Sequence, residues 1–400
     1  MKNRKLFLIL LFVVAMSQIP FAYRRYKLGR LSAVVDRVNA ERKAINAKGP
    51  YIEYKGVAHV HSFLGGHSVG SFSEIIAAAQ SNQLQFVIMT EHVEKDFDTA
   101  DMTLRGVHGG VLFLNGNEVS TAGGNRLLII PGDGSLVTAD KSASSEIAAK
   151  AKTEGALSVV AYPEEWKNWQ KDRATDYSAI EIYNVFTNAR RVNPFVAFFD
   201  VLWSHRRYPD LLFATLYERP AENLKKWDQL LENHRLTATA GNDAHANVGF
   251  SLRDRTGKTL AGIDLDPYHT SFHIVRLHTL VPAEKRFDAG SLINALKAGH
   301  CFIGFDIFGD TSGFSFSGDN KIQGDEIELQ PHTTLKVEVP VSSHVILFKD
   351  GAVFADESAV TFKEFPVSAR GVYRVEVYLP QLGGRLANQP WIISNPIWVR

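Results

Sequence analysis

The chain has 400 residues, which at about 100 to 200 residues per domain predicts two or three domains and a sizeable core. Hydrophobic residues make up 45% and charged residues 22%, which excludes a disordered chain and a membrane protein with many spans. Lys and Arg total 44 against 43 Asp and Glu, so the net charge of +1 predicts no nucleic-acid partner. Cys301 is the single cysteine, so any metal ion must be held by His, Asp and Glu.

The first 30 residues carry the pattern of an export signal or a membrane anchor. Three basic residues among the first five precede an apolar run over residues 6–16, which continues to residue 23 with only Ser17 and Gln18 interrupting it. The apolar core has the length of a cleavable signal peptide, about 7 to 15 residues, and the whole stretch approaches the roughly 17 residues that span a bilayer. We expect an uncleaved membrane anchor with the rest of the chain outside the cytoplasm. A cleaved leader would instead give a secreted or periplasmic protein.

Shifts in residue pattern divide the rest of the chain into three parts. Residues 31–50 carry apolar side chains at helical spacing and end in Gly49-Pro50, which predicts a helical spacer. Residues 51–310 alternate short apolar runs with helical stretches, which is the pattern of an α/β domain with a mostly parallel sheet, and their extent suits a (β/α) barrel. Residues 311–400 alternate apolar and polar positions around the Asp350-Gly351 turn, which predicts a small all-β, sandwich-like domain.

Seven strands and three helices are predicted in the α/β part. The predicted strands are residues 56–60, 86–90, 111–114, 126–130, 157–161, 179–183 and 237–240. The predicted helices are residues 73–81, 142–153 and 221–233, with Ser71 or Ser73 as the N-cap of the first. In a (β/α) barrel the carboxyl ends of the strands meet at one face, so polar residues that follow these strands are the candidates for a site.

Histidine and carboxylate residues follow four of these strands. His59 and His61 close the first strand, and alternate strand residues project to one face, so the two imidazoles can converge on one ion. His67 lies six residues later in a Gly-rich loop. The other three strands are followed by Glu91-His92, by Glu118 and by Asp243-Ala244-His245. The sequence therefore predicts that imidazole and carboxylate groups meet at one face of the barrel.

These motifs resemble those of the PHP superfamily, the polymerase and histidinol phosphatase domain of metal-dependent hydrolases. The matching motifs, in the family's order, are His59-x-His61 with His67, Thr90-Glu91-His92, Gly116-x-Glu118, Glu181-Ile182-Tyr183-Asn184 and Asn242-Asp243-Ala244-His245. The segment at residues 390–397 further resembles the tail of the CehA/McbA-like branch. The resemblance implies a distorted seven-stranded (β/α) barrel with up to three divalent metal ions.

The resemblance also assigns metal ligands. The implied sets are His59, His61, Glu118 and Asp243 for one ion, and His67, His92 and His245 for another. Such mixed sets favour Zn, Mn or Fe over Mg or Ca. The family's remaining site usually takes one histidine shortly after Gly-x-Glu and one in an Ala-His-Pro motif. Asn125 or Arg126 stands at the first place and Tyr162 at the second, so we expect two ions rather than three.

The implied activity is metal-assisted hydrolysis of a small, anionic ester, with a phosphoesterase as the leading hypothesis. A metal-activated water would attack phosphorus, and the catalytic candidates are Asp243, Glu118, Arg126 and Tyr162. Arg126 would replace the charge of the third ion and Tyr162 would donate to a leaving oxygen, unless both are structural replacements. Glu91 and Asn184 are expected to orient the metal-bound imidazoles.

Two alternative functions remain open at this stage. The tail resemblance suggests a carbamate or carboxylic ester hydrolase, in which the same water would attack a carbonyl carbon. Asn125 and Tyr162 instead motivate a degenerate barrel that binds a ligand without catalysis. His269, His273 and His278 lie in or beside an apolar strand, and we expect them to be structural.

Overall fold

The computed structural model describes residues 2–43, 49–166, 176–189, 193–247, 249–253 and 259–400. The α-helices in these ranges are α1 (Lys2–Glu41), α2 (Phe72–Ser81), α3 (Thr99–Met102), α4 (Ser144–Thr153), α5 (Val185–Ala189), α6 (Pro194–Ser204), α7 (Pro209–Ala214), α8 (Ala221–Leu231), α9 (Tyr268–Ile274) and α10 (Ala289–Ala298). The strands up to residue 304 are β1 (Tyr51–Val60), β2 (Phe86–Met89), β3 (Glu91–His92), β4 (Gly106–His108), β5 (Val111–Leu114), β6 (Asn117–Ser120), β7 (Arg126–Ile130), β8 (Leu157–Ala161), β9 (Ala179–Asn184), β10 (Thr237–Gly241), β11 (Gly249–Arg253), β12 (Thr259–Asp264), β13 (Arg276–Pro282) and β14 (Cys301–Gly304). The later strands are β15 (Ser315–Gly318), β16 (Lys321–Ile322), β17 (Glu326–Ile327), β18 (Thr334–Lys349), β19 (Ala352–Pro366), β20 (Gly371–Tyr378), β21 (Pro390–Ser394) and β22 (Ile397–Val399).

The seven predicted strands are confirmed as β1, β2, β5, β7, β8, β9 and β10, three of them with the predicted bounds. β1 begins earlier than predicted, because its first half pairs antiparallel with β13 before its second half pairs parallel with β2. The predicted helices are confirmed as α2, α4 and α8. Ser71 is the N-cap of α2 and forms a capping box with Glu74, which fixes where that helix begins.

The α/β part contains strands from two large sheets. One sheet runs in the order β16-β15-β18-β20-β21-β14-β13-β1-β2-β5-β4, and the other runs β10-β9-β8-β7-β6-β3. Their ladders do not form one closed barrel. Backbone hydrogen bonds nevertheless join the ends of β1 and β10, from Asn242 N to Ala58 O at 2.9 Å and from His61 N to Ala244 O at 3.0 Å. The carboxyl ends of these two strands therefore lie side by side.

The expectation of a mostly parallel sheet needs one correction in the part that carries the site. β8, β9 and β10 run parallel, but β7 runs antiparallel to both of its neighbours, β6 and β8. The register pairs Arg126 with Ser120 on one side and with Ala161 on the other. The amino end of β7 therefore meets the carboxyl ends of β6 and β8, and it brings Arg126 to the same edge as the strand-end motifs.

The C-terminal part is rich in β structure, as predicted. Its strands join the α/β part through the pairing of β21 with β14, in which Ser394 lies opposite Phe302. The buried side chain of Asn395 accepts from Ala238 N at 2.7 Å and donates to Cys301 O at 2.9 Å. The C-terminal strands are thus hydrogen-bonded to β10, the strand that leads to the Asp243 motif.

Helix α1 continues without a break from the predicted leader into the predicted spacer and contains Pro20. It is long and apolar enough to cross a membrane, with a mean hydropathy of 2.2 in its most apolar window. Its first part, residues 4–17, is exposed. The later part packs on the body through Phe21, Leu28, Leu31, Val35 and Val38, which recur at helical spacing.

The predicted end of this helix at Gly49-Pro50 is wrong. α1 ends at Glu41, and Lys43 N then donates to Pro340 O at 2.8 Å, which directs the chain toward the C-terminal strands. Part of the predicted spacer, residues 44–48, lies outside the described ranges. Tertiary contacts with the body therefore end the helix before the local Gly-Pro signal is reached.

Candidate metal centre

The two histidines at the end of β1 are fully buried, and their ring centroids are 5.1 Å apart. They converge across a local irregularity rather than along a regular strand. His59 has a φ of 63°, in the left-handed region, and the β1–β2 register shifts between Ala58 and Val60. A left-handed, non-glycine residue costs conformational energy and is enriched at functional sites.

Two buried carboxylates complete the first predicted ligand set. Glu118 lies on β6, and Asp243 follows β10 with a φ of 48°. The Nε2 atom of His59 lies 3.2 Å from Glu118 Oε2 and 3.5 Å from Asp243 Oδ1. The Nε2 atom of His61 lies 3.4 Å and 3.5 Å from the same two oxygens. One ligand atom from each of the four residues lies within 4.8 Å of all the others, which is the spacing that a shared ion requires.

The second predicted ligand set also gathers at this site, with one difference. Ligand atoms of His61, His92 and His245 lie within 4.8 Å of one another. The ring of His67 lies beside them, with its centroid 4.6 Å from that of His92 and 4.4 Å from that of His245. The structure therefore brings together all seven predicted ligands, and it places His61 between the two sets.

Several buried atoms in this cluster have no hydrogen-bond partner within the described part of the chain. They are both ring nitrogens of His61, Oδ1 of Asp243 and Nε2 of His245. A buried polar atom left unpaired costs about 1 to 3 kcal/mol. Imidazole nitrogens and carboxylate oxygens that converge without protein partners are suited to divalent transition metals. The residues present therefore fit a metal centre.

Residues behind the ligands hold the imidazoles in place. Glu181, on β9, lies with Oε2 2.8 Å from His59 Nδ1, and Asn184 Nδ2 donates to the other oxygen of Glu181 at 2.7 Å. His245 Nδ1 donates to the backbone oxygen of Asp243 at 2.8 Å, which leaves Nε2 free to bind an ion. The orienting role of Glu181 was missed from the sequence, although the residue lies in a matched motif.

The expectation that Glu91 orients a metal-bound imidazole is wrong. Glu91 accepts from Ser62 N at 2.9 Å, from Ser62 Oγ at 2.7 Å and from Thr103 Oγ1 at 2.7 Å. It therefore fixes the loop that follows His61. Asn184 donates to Glu181, which in turn contacts His59.

Arg126 and Tyr162 line a cavity of about 410 Å³ over the cluster. Arg126 Nη1 donates to Glu118 Oε1 at 2.6 Å, and its guanidinium carbon lies 5.6 Å from the centre of the Tyr162 ring. Tyr162, with a φ of 48°, donates its hydroxyl to Asp243 Oδ2 at 2.7 Å. Asn125 instead donates to Ser144 Oγ at 3.4 Å. Arg126, not Asn125, is the residue that reaches the site.

Burial and neighbouring charges set the protonation states. Burial opposes charge on His59, but Glu181 and Asp243 raise its pKa well above the usual value. Burial lowers the pKa of His92 to about 3, and burial together with His61 lowers that of His245 to about 4. These two imidazoles are therefore neutral at pH 7, which is the form that binds metal ions.

Burial and neighbouring charges also shift the pKa values of the two carboxyl groups and of the Tyr162 phenol. Burial disfavours charge on Glu118 and Asp243, but His59 and His61 outweigh burial, and the pKa of each carboxyl group lies below its usual value. Burial and the charge of Asp243 raise the pKa of Tyr162, so the phenol stays protonated. The site thus holds two carboxylates and one hydroxyl donor at neutral pH.

Comparisons with known proteins add little to this geometry. No protein-family model matches the chain, and no curated protein matches it. A crystal structure of a two-domain protein from Bacteroides vulgatus ATCC 8482, containing a predicted PHP-like metal-dependent phosphoesterase, is similar at 13% identity and a TM-score of 0.43, over 89% of this chain and 98% of that one. The structure of PsfC from Pseudomonas syringae PB-5123 is similar at 15% identity and a TM-score of 0.37, over 61% of this chain and 89% of that one. A likeness at this level establishes neither family nor activity.

Proposed function

We propose that this protein is a metal-dependent hydrolase of phosphate esters with a PHP-type barrel. We further propose that it belongs to the CehA/McbA-like branch, whose tail the segment at residues 390–397 resembles. One observation carries the proposal. Four buried side chains from three strands, two of them from the end of β1, bring their ligand atoms within 4.8 Å of one another. Within the described residues, His61 and Asp243 have atoms there without a hydrogen-bond partner. The hydrogen bonds between the ends of β1 and β10 support the barrel, since they join the two sheets at the site.

We assign two divalent ions, of Zn, Mn or Fe, to this centre. The first would be held by His59, His61, Glu118 and Asp243, and the second by His67, His92 and His245. Bound divalent ions lower the pKa of a water molecule toward neutrality and withdraw charge from ester oxygens. Because Arg126, close to the position where the family usually has a histidine, binds Glu118 instead, a third ion is not part of the proposal.

Asp243 is the proposed general base. Its Oδ2 atom accepts from the Tyr162 hydroxyl, while its Oδ1 atom has no hydrogen-bond partner among the described residues and lies 3.5 Å from His59 Nε2. The low pKa keeps the carboxylate ionised at neutral pH, which is the state that a general base requires. The hydrogen bond from Tyr162 keeps the carboxylate in one orientation.

Arg126 is the proposed contact to the anionic part of the substrate. One nitrogen binds Glu118, and the side chain is 41% exposed in the wall of the cavity. A guanidinium carries five N–H donors in a planar fork that matches phosphate oxygens. A cation at this place favours a phosphate ester over a neutral carboxylic ester or carbamate, which remain the alternatives.

A substrate screen with metal analysis tests the proposal. Full-length protein purified in detergent would be assayed with aryl phosphates, phosphodiesters and aryl esters, with Mn or Zn added. We expect about two ions per chain by elemental analysis and chelator-sensitive hydrolysis of a phosphate ester. Asp243→Asn is the matched inactive control. A chain free of metal after expression in Mn- and Zn-replete medium would overturn the enzyme hypothesis and favour a degenerate binding protein.

We also propose that α1 remains attached as a membrane anchor, with the body outside the cytoplasm. The exposed apolar part of α1 and its packed part form one continuous helix, which supports a rigid connection between anchor and body. Cell fractionation with protease protection tests this. A mature form that begins near Gln18 would refute the anchor but not export, and a cytoplasmic protein that retains Met1 would refute both.

A further inference from the structure

Helix α6 exposes large apolar side chains on its outward face. Phe195, Phe198 and Leu202 share this face, and they are 67%, 46% and 63% exposed. Asp200 and Ser204, on the other face, are buried against the protein. A surface helix of a protein in water usually carries polar residues on its outward face. The outward face of α6 is therefore suited to an apolar surrounding.

The buried face of α6 packs against α1 close to the exposed apolar stretch. Asp200 forms an ion pair with Arg24, in which the Nε–Oδ1 distance is 2.7 Å. The rings of Phe21 and Phe199 stack with their centroids 4.7 Å apart. Further toward the amino end of α1, Trp203 Nε1 donates to Gln18 Oε1 at 3.0 Å. The two helices therefore meet where the apolar part of α1 ends.

We propose that α6 lies in the membrane interface beside α1 and is a second membrane contact of this protein. With 11 residues it is about 16 Å long, too short to cross a hydrocarbon core of about 30 Å. An interfacial helix instead buries one apolar face at the boundary between headgroups and acyl chains. The outward face of Phe195, Phe198 and Leu202 has the composition for this position.

The charges around the helix identify the lipid that it fits. Lys27 on α1 and Arg206 and Arg207 after α6 are exposed. Basic side chains beside an apolar helical face favour anionic headgroups, each contributing about 1 kcal/mol near such a surface. Continuity with the exposed apolar side chains of α1 favours a bilayer over a protein partner. This inference goes beyond the proposed hydrolase, since none of these residues lines the metal centre.

Fluorescent labels in the full-length protein test the inference. Leu202→Cys and Val353→Cys would be labelled separately with an environment-sensitive fluorophore and reconstituted in nanodiscs of phosphatidylcholine and phosphatidylglycerol. Val353 is a matched control, because it is 59% exposed and lies on β19, away from α1. Cys301 is buried, and the chain without an added cysteine measures its background labelling.

We expect the label at position 202 to emit at shorter wavelength than the label at 353 and to be quenched by lipids that carry a shallow spin label. Iodide in the aqueous phase should quench it roughly twofold less than the label at 353. Quenching by iodide to the same extent at both positions would overturn the proposal. So would a label at 202 that neither iodide nor spin-labelled lipid quenches, because a protein surface then covers α6.

The fluorescence measurement tests the position of α6 separately from the proposed hydrolase activity and from the proposed anchor. It needs no turnover, so an inactive protein does not affect it. Intact mass shows whether residues 1–17 are present. If the leader has been removed, the same labelled chains are mixed with vesicles of the same lipids, and the label at 202 is still expected to enter the lipid. Equal melting temperatures of the labelled and unlabelled chains confirm that the substitutions leave the fold intact.

Discussion

The metal centre and a second buried cluster on β13 contain the same kinds of side chain but differ in how their polar atoms are partnered. The second, which we call the His278 cluster, contains His278, Asp306, Glu53, Arg276 and Thr311. As in the metal centre, ligand atoms of histidine and carboxylate approach within 4.8 Å, here between His278, Asp306 and Asp310. Composition and spacing alone would place a metal ion in both.

In the His278 cluster, His278 and Asp306 find their hydrogen-bond partners within the protein. His278 Nδ1 lies 2.6 Å from Glu53 Oε1, and Nε2 lies 2.8 Å from Thr311 Oγ1. Asp306 accepts from Arg276 at 3.0 Å, so a protein cation already balances its charge. In the candidate metal centre, by contrast, both ring nitrogens of His61 lack a hydrogen-bond partner within the described ranges. The difference teaches that unpartnered polar atoms, rather than the residue types, separate a candidate metal site from a buried ion-pair network.

The largest expected effect is that an Asp→Asn substitution lowers mainly turnover in the candidate metal centre and mainly stability in the His278 cluster. Asp243→Asn should lower turnover about a hundredfold to ten-thousandfold, as loss of a general base does. It should cost only about 1 kcal/mol of stability, because Asn keeps an oxygen that can accept from Tyr162, and Oδ1 of Asp243 has no hydrogen-bond partner among the described residues. Kinetics on the substrate found by the screen, with melting curves at saturating metal, measure both quantities.

Asp306→Asn is the matched control and should show the reverse. Removing one partner of a buried ion pair costs about 3 to 5 kcal/mol, so the melting temperature should fall clearly. Turnover of the folded fraction should stay close to that of the wild type. If Asp243→Asn keeps its activity, or unfolds as readily as Asp306→Asn, the distinction between the two clusters is wrong.

Removal of the metal ions should destabilise the candidate metal centre and leave the His278 cluster unchanged. Ligand at about 100 times its dissociation constant stabilises the folded state by roughly 2.7 kcal/mol, so chelation should lower the melting temperature of the wild type. His61→Ala should lower metal occupancy and reduce this response. His278→Gln should keep about two ions per chain. Elemental analysis of the two variants decides, and a loss of ions in His278→Gln would show that the His278 cluster also binds metal.

The His278 cluster should respond to pH in a definite direction. Burial disfavours the charged imidazole of His278, but Asp306 and Glu53 raise its pKa to about 9 from 6.5. Stability from this charge is fully present below pH 6.5 and is lost as the pH rises through 9. The stability difference between wild type and His278→Gln should therefore shrink by a few kcal/mol from pH 6 to 9.

Unfolding at a series of pH values measures this change. His344→Gln is the control, because His344 pairs with the exposed Asp356 and such pairs contribute less than about 1 kcal/mol. A stability difference for His278→Gln that is constant between pH 6 and 9 would falsify the assignment of a buried imidazolium.

The smallest expected effect concerns Arg126, the cationic side chain beside the candidate metal centre. Arg126→Gln should raise KM for a phosphate ester about tenfold and change KM for a neutral aryl ester much less, because a charge-assisted contact is lost. Arg126→Lys should be intermediate, since it keeps the charge without the planar fork. Equal changes on both substrates would mean that Arg126 acts only through Glu118.

Local sequence patterns were sufficient to predict which residues the fold brings together in the candidate site. His59, His61, Glu118 and Asp243 each lie at or just beyond the end of a short apolar run, and the α/β topology brings such positions to one edge. The positions of the seven predicted strands followed from the apolar runs for the same reason, with exact bounds for β5, β7 and β8. Both signals depend on neighbouring residues, which is why they are readable from one sequence.

Long-range pairing could not be predicted in the same way. The antiparallel course of β7, which brings Arg126 to the site, depends on its neighbours β6 and β8. The hydrogen bonds of Glu91 go to Ser62 and Thr103, whose positions follow from the folded loop. The early end of α1 at Glu41 is likewise fixed by contacts with distant strands. Such features depend on tertiary geometry that periodicity does not encode.

The hydrogen bond between Ala238 and Asn395 has a consequence for the timing of synthesis. The two residues are 157 positions apart, and a ribosome that adds about 5 to 20 residues per second makes that stretch in roughly 8 to 30 seconds. During this interval β10 has been made, but the side chain that ties it to β14 has not. The last hydrogen bonds of the strand that leads to Asp243 therefore form late, and the geometry of the candidate site in the nascent protein depends on residues made long after His59, Glu118 and Asp243.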